Sequence, residues 1–322
     1  MVISKTPFRI SFAGGGSDLP SFYQNYGGAV LSTSIDKYIY LSMHSYFVDN
    51  KFFLKYSKNE LVDKVDEIAH PIIREVFKYF DINGVDFNSS ADLPSGTGMG
   101  SSSAFASGLI NLCCTYKGLY MSREVIAELA CKIEIEVLNE PIGKQDQYAC
   151  AVGGFNFIEF NKDNTVNVEK IHLDSERSLT MSKNLMLFYL GNSRGASSVL
   201  GEQKQNIEDG RKIENLEKMV HLAHQLKAEI LKGEIDALGE NLHQGWILKR
   251  ELASGISTES IDYYYDLALR AGAIGGKLLG AGGGGFLLFY VKNNNHLAVK
   301  NALKDLKYTE FNFDNSGTSI IY

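Results

Sequence analysis

Leu93-Pro94-Ser95-Gly96-Thr97-Gly98-Met99-Gly100-Ser101-Ser102-Ser103-Ala104 is the stretch on which the reading of this chain turns. Glycines alternate with other residues, serines follow, and Ala104, Phe105, Ala106, Leu109, Ile110 and Leu112 then recur at helical spacing. Glycine reaches φ > 0 and lets main-chain N–H groups approach a ligand with no side chain in the way. A helix opening directly behind such a loop adds unpaired N–H groups and the positive end of its dipole. The combination predicts a phosphate cradle, with the serine hydroxyls placed to reach phosphate oxygens or Mg²⁺. A solvent-exposed Gly/Ser linker, the blander alternative, would not run straight into an amphipathic helix.

The remainder of the chain is long enough to build a core around that loop. Its 322 residues allow one large or two medium domains. A hydrophobic content of 44 % with 22 % charged residues is ordinary for a globular protein, and a net charge of −6 disfavours a nucleic-acid-binding surface. No run of 18 apolar residues is present, so no membrane association is expected. Met1-Val-Ile-Ser-Lys-Thr-Pro7 lacks the apolar core of a signal peptide, and the expectation is a cytoplasmic chain. Cys113, Cys114, Cys131 and Cys150 form no C-x-x-C pair and sit within apolar patterns, which predicts buried free thiols in place of disulfides or zinc ligands.

Before the glycine loop, aromatic and β-branched residues predict strands at Phe8–Ala13, Ala29–Ser34, Tyr38–Tyr46 and Val85–Ser90, with a short helix at Pro71–Phe80. After it come helices at about Ser101–Tyr116 and Ser122–Val137, with Ser122 as N-cap, and a strand at Phe155–Phe160. The polar stretch 162–184 reads as a boundary, dividing the chain into units 1–184 and 185–322. The second unit begins with a strand at Leu185–Leu190. Helices at Ser197–Leu231 (broken near Gly210), Ile235–Ala253 and Ser260–Ala271 follow, and a glycine cluster at Gly275–Gly285 precedes a strand at Phe286–Val291. A helix at Ala298–Leu306 and a strand at Ser319–Ile321 close the chain. Strands and helices mixed without regular βαβ alternation predict an α+β fold.

Several phosphate-loop classes are excluded on inspection. Neither Gly143-Lys144 nor Gly276-Lys277 has the flanking residues of a Walker A loop, and the protein-kinase triplets are absent. Gly280, Gly282 and Gly285 match G-x-G-x-x-G, but a strand-like run follows them where a dinucleotide fold needs a helix. Two further segments carry chemistry. In Pro7-Phe-Arg-Ile-Ser-Phe-Ala-Gly-Gly-Gly-Ser-Asp18, Arg9 sits on an otherwise apolar strand, and glycines then deliver Ser17 and Asp18. A buried arginine there needs a carboxylate partner, whereas a solvent-facing one does not. In Gly143-Lys-Gln-Asp-Gln-Tyr148, Asp146 lies at a helix–loop junction after Pro141, where it could equally be a plain capping residue.

Taken together, Pro7–Asp18, Pro94–Ala104 and Lys277–Gly285 resemble the three signature motifs of the GHMP kinases (galactokinase, homoserine kinase, mevalonate kinase, phosphomevalonate kinase), in the family's order and spacing. Within that family, Phe12-Ala-Gly-Gly-Gly-Ser-Asp-Leu-Pro20, Gly143–Tyr148 and Trp246-Ile-Leu-Lys-Arg-Glu-Leu-Ala-Ser-Gly-Ile-Ser257 are similar to a bacterial branch of sugar 1-kinases acting on D-glycero-D-manno-heptose 7-phosphate. Galactokinases carry Glu-His where this chain has Gly15-Gly16, which points away from galactose.

The resemblance implies the two-lobe GHMP kinase fold, with a lobe similar to ribosomal protein S5 domain 2 followed by a ferredoxin-like lobe and the active site between them. It implies ATP and Mg²⁺ as cofactors, with Pro94, Ser95, Gly96, Thr97, Gly98, Met99, Gly100, Ser101, Ser102 and Ser103 at the nucleotide. Ser102 and Glu134 would ligate the metal, with Glu136 as the alternative glutamate. Asp146 would be the catalytic aspartate, as base or electrostatic guide, and Arg9 its basic partner. Ser17 and Asp18 would meet the sugar. The third motif, Gly282 and Gly283 included and Lys277 its only charge, would form a flexible loop closing over substrate near the phosphates. A sugar phosphate also needs a second anion site, for which Arg194, Lys249 and Arg250 are the candidates, Arg194 foremost because it sits in a Gly/Ser turn before a helix. The implied partner is a sugar or sugar phosphate, and the chain is expected as a monomer or homodimer. Another sugar such as fucose, or a non-catalytic sensor of sugar or nucleotide, stays open.

Overall fold

The computed structural model describes residues 1–48, 50–191 and 196–322 and arranges them as two sheets with helices packed on them. Strand β1 (Val2–Ala13) buries Phe8, Ile10 and Phe12 on one face, and the period-2 alternation turns Arg9 and Ser11 to the other. It pairs antiparallel with β2 (Gly28–Ser45). The sequence predicts two strands here, broken at Ile35-Asp36-Lys37, but the chain runs straight through. The far edge of β2 changes partner at that point. Gly28–Thr33 pair with β6 (Phe155–Phe160), Ile39–Ser45 with β5 (Val85–Ala91), and Ser34 and Ile35 with β12 (Phe313–Asp314). Asp36, between the two predicted strands, accepts hydrogen bonds from the Asn312 backbone and side chain at 2.8 and 2.9 Å.

The sheet is extended by β3 (Phe52–Lys55) and β4 (Asn59–Val62) beyond β5, by β7 (Val166–Lys170) beside β6, and by β13 (Ser319–Ile320) beside β1. Helix α1 (Pro20–Tyr26) follows β1, and α2 (Pro71–Tyr79) covers Phe77 against Phe52 and Phe87. The helix predicted behind the glycine loop is α3, Ser101–Tyr116. It is buried on nearly every side, which explains why its apolar residues are not confined to one stripe. Helix α4 (Arg123–Cys131), capped by Ser122 as expected, continues as a π-helical turn, Lys132–Val137, and α5 (Gln145–Val152) then packs against both α3 and α4. The segment 162–184 holds β7 and α6 (Ser175–Lys183), the latter capped by Asp174.

The second sheet is antiparallel, in the order β11 (Lys307–Thr309), β8 (Leu185–Gly191), β10 (Gly285–Val291), β9 (Ala273–Leu278). Helices α7 (Ala196–Glu208), α8 (Ile213–Lys232), α9 (Ala237–Arg250), α10 (Glu259–Arg270) and α11 (His296–Ala302) accompany it. Phe188, Trp246, Tyr265, Leu287 and Phe289 form its core. Strand β9 is hidden in the sequence by Gly275-Gly276. A Cβ on Gly275 would lie 2.1 Å from the Gly239 carbonyl oxygen, so glycine is what lets α9 press onto the strand. Position 184/185 falls between α6 and β8, and the final strands β12 and β13 cross back to the first sheet. No helix among the described residues is long and apolar enough to cross a membrane.

Candidate active site

A cleft of about 380 Å³ opens where the two sheets meet, and it is walled by the ends of β1, α3, α5, α9 and β9 and the loops between them. At its floor Arg9 grips Asp146 with two parallel bonds, Nε to Oδ1 and Nη2 to Oδ2, both 2.7 Å. The third arm, Nη1, donates to the Gly98 carbonyl at 2.7 Å. Arg9 is only 4 % exposed, so the buried guanidinium does have the carboxylate partner it requires. Burial pulls its pKa down, but the Asp146 charge outweighs that and holds it above the ordinary value. Asp146 lies in the first turn of α5, where the helix dipole favours an anion.

The glycine loop wraps the other wall. Gly96, Gly98 and Gly100 take φ of +71°, +79° and +75°, and Gly100 leads directly into α3. Gly98 also faces a backbone neighbour, since a Cβ there would lie 2.3 Å from the Leu279 carbonyl oxygen. Gly98, Gly100, Ser101, Ser102 and Ser103 line the cleft. Pro94, Ser95 and Gly96 lie exposed at the loop's outer side, while Thr97 and Met99 are buried. Thr97 donates its hydroxyl to the Pro94 carbonyl, and the Met99 carbonyl accepts from the Arg9 backbone.

Ser102 donates its hydroxyl to Glu134 Oε1 at 2.5 Å, and Gln147 donates its amide to Oε2 at 2.8 Å. Glu134 is fully buried on the π-helical turn, and burial pushes its pKa up despite these neutral donors. Gln147 Oε1, buried nearby, has no hydrogen-bond partner. A buried carboxylate, a hydroxyl and an orphaned amide oxygen are hard ligands that suit Mg²⁺. Among the described residues no group of three or more His, Cys, Asp or Glu forms a metal cage. Glu136, the alternative glutamate, is exposed and outside the cleft.

Asp18 reaches the cleft, but its carboxylate already accepts from Gly16 N, Gln145 N and Gln145 Nε2 at 3.0, 3.1 and 2.9 Å. Burial, and then Asp146, raise its pKa. It therefore ties the first glycine turn to the start of α5. Ser17 does not meet the substrate region: its buried hydroxyl donates to the Gly14 carbonyl at 2.7 Å and closes the turn. Gly282 and Gly283 are likewise outside the lining, packed on Ile256, to whose carbonyl Gly283 N donates. Lys277 is not on a flexible loop. It belongs to β9, is 4 % exposed, and donates to the Ser11 and Phe12 carbonyls at 3.0 and 3.2 Å.

Of the basic candidates, Lys249 lines the cleft from the end of α9, while Arg250 turns outward to Asp262 at 3.3 Å. Trp246 is buried in the second core. Arg194 lies outside the described residues. The sequence reading missed Ser11, Glu140, Gln145, Leu200 and Gln203 as lining residues. Gln145 and Gln147 flank Asp146 in the quoted motif and were the legible ones; Gln203, 4 % exposed in a polar helix, carries no local signal. The four cysteines are free and buried, as expected.

Comparison with known proteins places this arrangement. Residues 61–154 match the GHMP kinases N terminal domain and residues 209–308 the GHMP kinases C terminal domain. The chain belongs to the GHMP kinase family. A D-glycero-alpha-D-manno-heptose 7-phosphate kinase of Campylobacter jejuni is 28 % identical over 98 % of this chain and 97 % of its own length. A galactokinase of Pyrococcus furiosus is 25 % identical over 86 % of this chain and 85 % of its own. The crystal structure of a D-glycero-D-manno-heptose 1-phosphate kinase from Bacteroides thetaiotaomicron superposes with a TM-score of 0.82 at 23 % identity, covering 100 % of this chain and 99 % of that one.

Proposed function

We propose that this ATP-dependent sugar kinase of the GHMP family phosphorylates the anomeric hydroxyl of a heptose 7-phosphate. The observation that carries the reading is that the Arg9–Asp146 pair and the Ser102–Glu134 pair line one cleft together with Gly98 and Gly100 of the glycine loop. The whole-length similarity to a heptose 7-phosphate kinase supports the substrate class.

In this reading the backbone amides around Gly98–Ser103 bind the ATP phosphates, helped by the α3 N-terminus. Ser102 and Glu134 hold Mg²⁺, which when bound supplies charge neutralisation to the phosphates. Asp146, fixed by Arg9, orients the acceptor hydroxyl and receives its proton, and the positioning of that hydroxyl supplies much of the catalysis. Arg9 keeps the carboxylate from rotating away. Residues 1–184 serve as the nucleotide lobe and 185–322 as the lobe that closes on it. Asp146, Arg9 and Ser102 are all present, which argues against a non-catalytic sensor. Arg194 remains the candidate for the 7-phosphate. A phosphate brings about two negative charges, and a charge-assisted hydrogen bond to it contributes on the order of 1.5–3 kcal/mol.

The test is a kinase assay over a panel of sugars and sugar phosphates. The expected result is the highest kcat/KM with the phosphorylated heptose, and an Arg194→Ala variant whose KM rises roughly ten- to hundredfold for it alone. Preference for a free sugar would overturn the heptose phosphate assignment and leave the kinase family intact.

A further inference from the structure

Lys249 has a place in the cleft that the roles above leave unused. Its ammonium hydrogen-bonds to the Gly280 carbonyl oxygen, and Lys249 is only 7 % exposed. Among the described residues no carboxylate forms an ion pair with that ammonium within 4.0 Å, and Asp18 and Asp146 act on it only from farther off. Gly280 in turn packs on the phosphate loop: a Cβ on it would lie 2.3 Å from Gly98 Cα. Gly98 offers its carbonyl to Arg9, and Arg9 holds Asp146. Direct contacts thus run from Asp146 through Arg9, Gly98 and Gly280 to Lys249. Burial, with Arg9 adding to it, lowers the lysine's pKa to about 8, against an opposing pull from Asp18 and Asp146.

That location is the junction of the glycine loops, in the cleft that Asp146 also lines. The loop that would cradle the nucleotide phosphates packs on Gly280, the residue Lys249 bonds, which sets the ammonium where the phosphoryl group would leave the nucleotide. We propose that the Lys249 ammonium binds the phosphoryl group in transit and is a second catalytic residue beside Asp146. This rests on the kinase reading above and on no particular sugar.

In the step itself the bond from the γ-phosphorus to the β,γ-bridging oxygen breaks, and its electron pair leaves on ADP. A bond forms from the acceptor oxygen to the same phosphorus, and the acceptor proton passes to the Asp146 carboxylate. Lys249 stays protonated throughout. Its charge faces the negative charge spread over the three equatorial oxygens of a loose transition state, where a fixed donor in a water-poor cleft is most effective.

The test compares wild type with Lys249→Met and Lys249→Arg at saturating ATP and Mg²⁺, using one phosphorylated and one free sugar that the wild type accepts. Lys249→Met is expected to lower kcat by roughly 10²-fold for both acceptors, with acceptor KM within about threefold. Lys249→Arg keeps the charge and is expected to recover at least about tenfold of that loss. A kcat within about threefold of wild type would overturn the proposal. So would a loss confined to the KM of the phosphorylated acceptor, which would assign Lys249 to the sugar's own phosphate. If Lys249→Met does not fold, Lys249→Gln carries the same expectations. Wild-type protein that turns over no sugar would overturn the kinase reading and this proposal together, whereas normal turnover by the variants overturns this proposal alone.

Discussion

Asp146→Asn is the substitution whose consequences the geometry fixes most fully. The wild-type carboxylate receives two bonds of 2.7 Å from Arg9, one on each oxygen. Asparagine keeps the shape and one acceptor, but turns an NH₂ toward a guanidinium that is itself all donor. The Arg9 side chain is 5 % exposed and cannot compensate with water, whereas the Asp146 side chain is 26 % exposed. Breaking a fully buried pair costs about 3–5 kcal/mol; water access on one side brings the expectation down to about 2–3 kcal/mol. For a chain of 322 residues that is a melting temperature lower by roughly 3–5 °C. The catalytic effect is separate and larger, a loss of about 10²-fold or more in turnover, because the amide does not accept a proton. Thermal unfolding, binding of a non-hydrolysable ATP analogue and single-turnover kinetics measure the three quantities independently. ATP-analogue affinity is expected to hold while turnover collapses. Turnover within about threefold of wild type would remove Asp146 from the chemistry and leave it a structural partner of Arg9. A double variant with Arg9→Met checks the pairing. The two destabilisations are expected to fall well short of additive, and strict additivity would contradict a direct bond.

Ser102→Ala removes one oxygen ligand while the backbone cradle stays, so the Mg²⁺ concentration for half-maximal rate is expected to rise on the order of tenfold with acceptor KM little changed. Superimposable Mg²⁺ titrations of the two proteins would contradict that role. Gly98→Ala sets a Cβ against the Leu279 carbonyl at a φ of +79°, and is expected to destabilise the fold by about 1–3 kcal/mol and abolish nucleotide binding, both read by unfolding with and without nucleotide. Lys249 titrates lower in the folded chain than its ordinary 10.5, at about 8. The unfolded chain therefore binds more protons between those values, and the penalty for burying the charge is complete below pH 8 and disappears above 10.5. Lys249→Met is expected to be the more stable protein at pH 7, by on the order of 3 kcal/mol less whatever the Gly280 bond contributes. That advantage should shrink as pH rises through the window. An advantage independent of pH would contradict the buried charge.

How far the site could be read in advance depended on whether the deciding contacts were local. The bounds of α3 and β6 follow from their own residues: a glycine loop ending at Ser101 starts the helix, and Gly153-Gly154 precedes the strand at Phe155. The cap at Ser122 is equally local. Strand β9 was not legible, because the glycines that break its pattern answer to α9, a helix more than twenty residues earlier in the chain. Continuity of β2 depends on Asn312 meeting Asp36 from the far end of the chain. In the site, the resemblance to the family's motifs brought out Arg9, Asp146, Ser102 and Glu134, and the structure brings these four into one cleft. Ser17 misled because a serine between glycine and aspartate has the same letters whether it binds a sugar or closes a turn. Lys277 misled for the reason β9 did, since its strand was unseen and its carbonyl partners lie in β1.

The most direct test of the account is a crystal structure of the protein with a non-hydrolysable ATP analogue, Mg²⁺ and heptose 7-phosphate. The account predicts the anomeric oxygen within about 2.6–3.2 Å of an Asp146 carboxylate oxygen, with the γ-phosphate between that oxygen and the Gly98–Ser103 loop. A sugar bound with another hydroxyl at Asp146, or bound outside the cleft of Arg9 and Glu134, would contradict it.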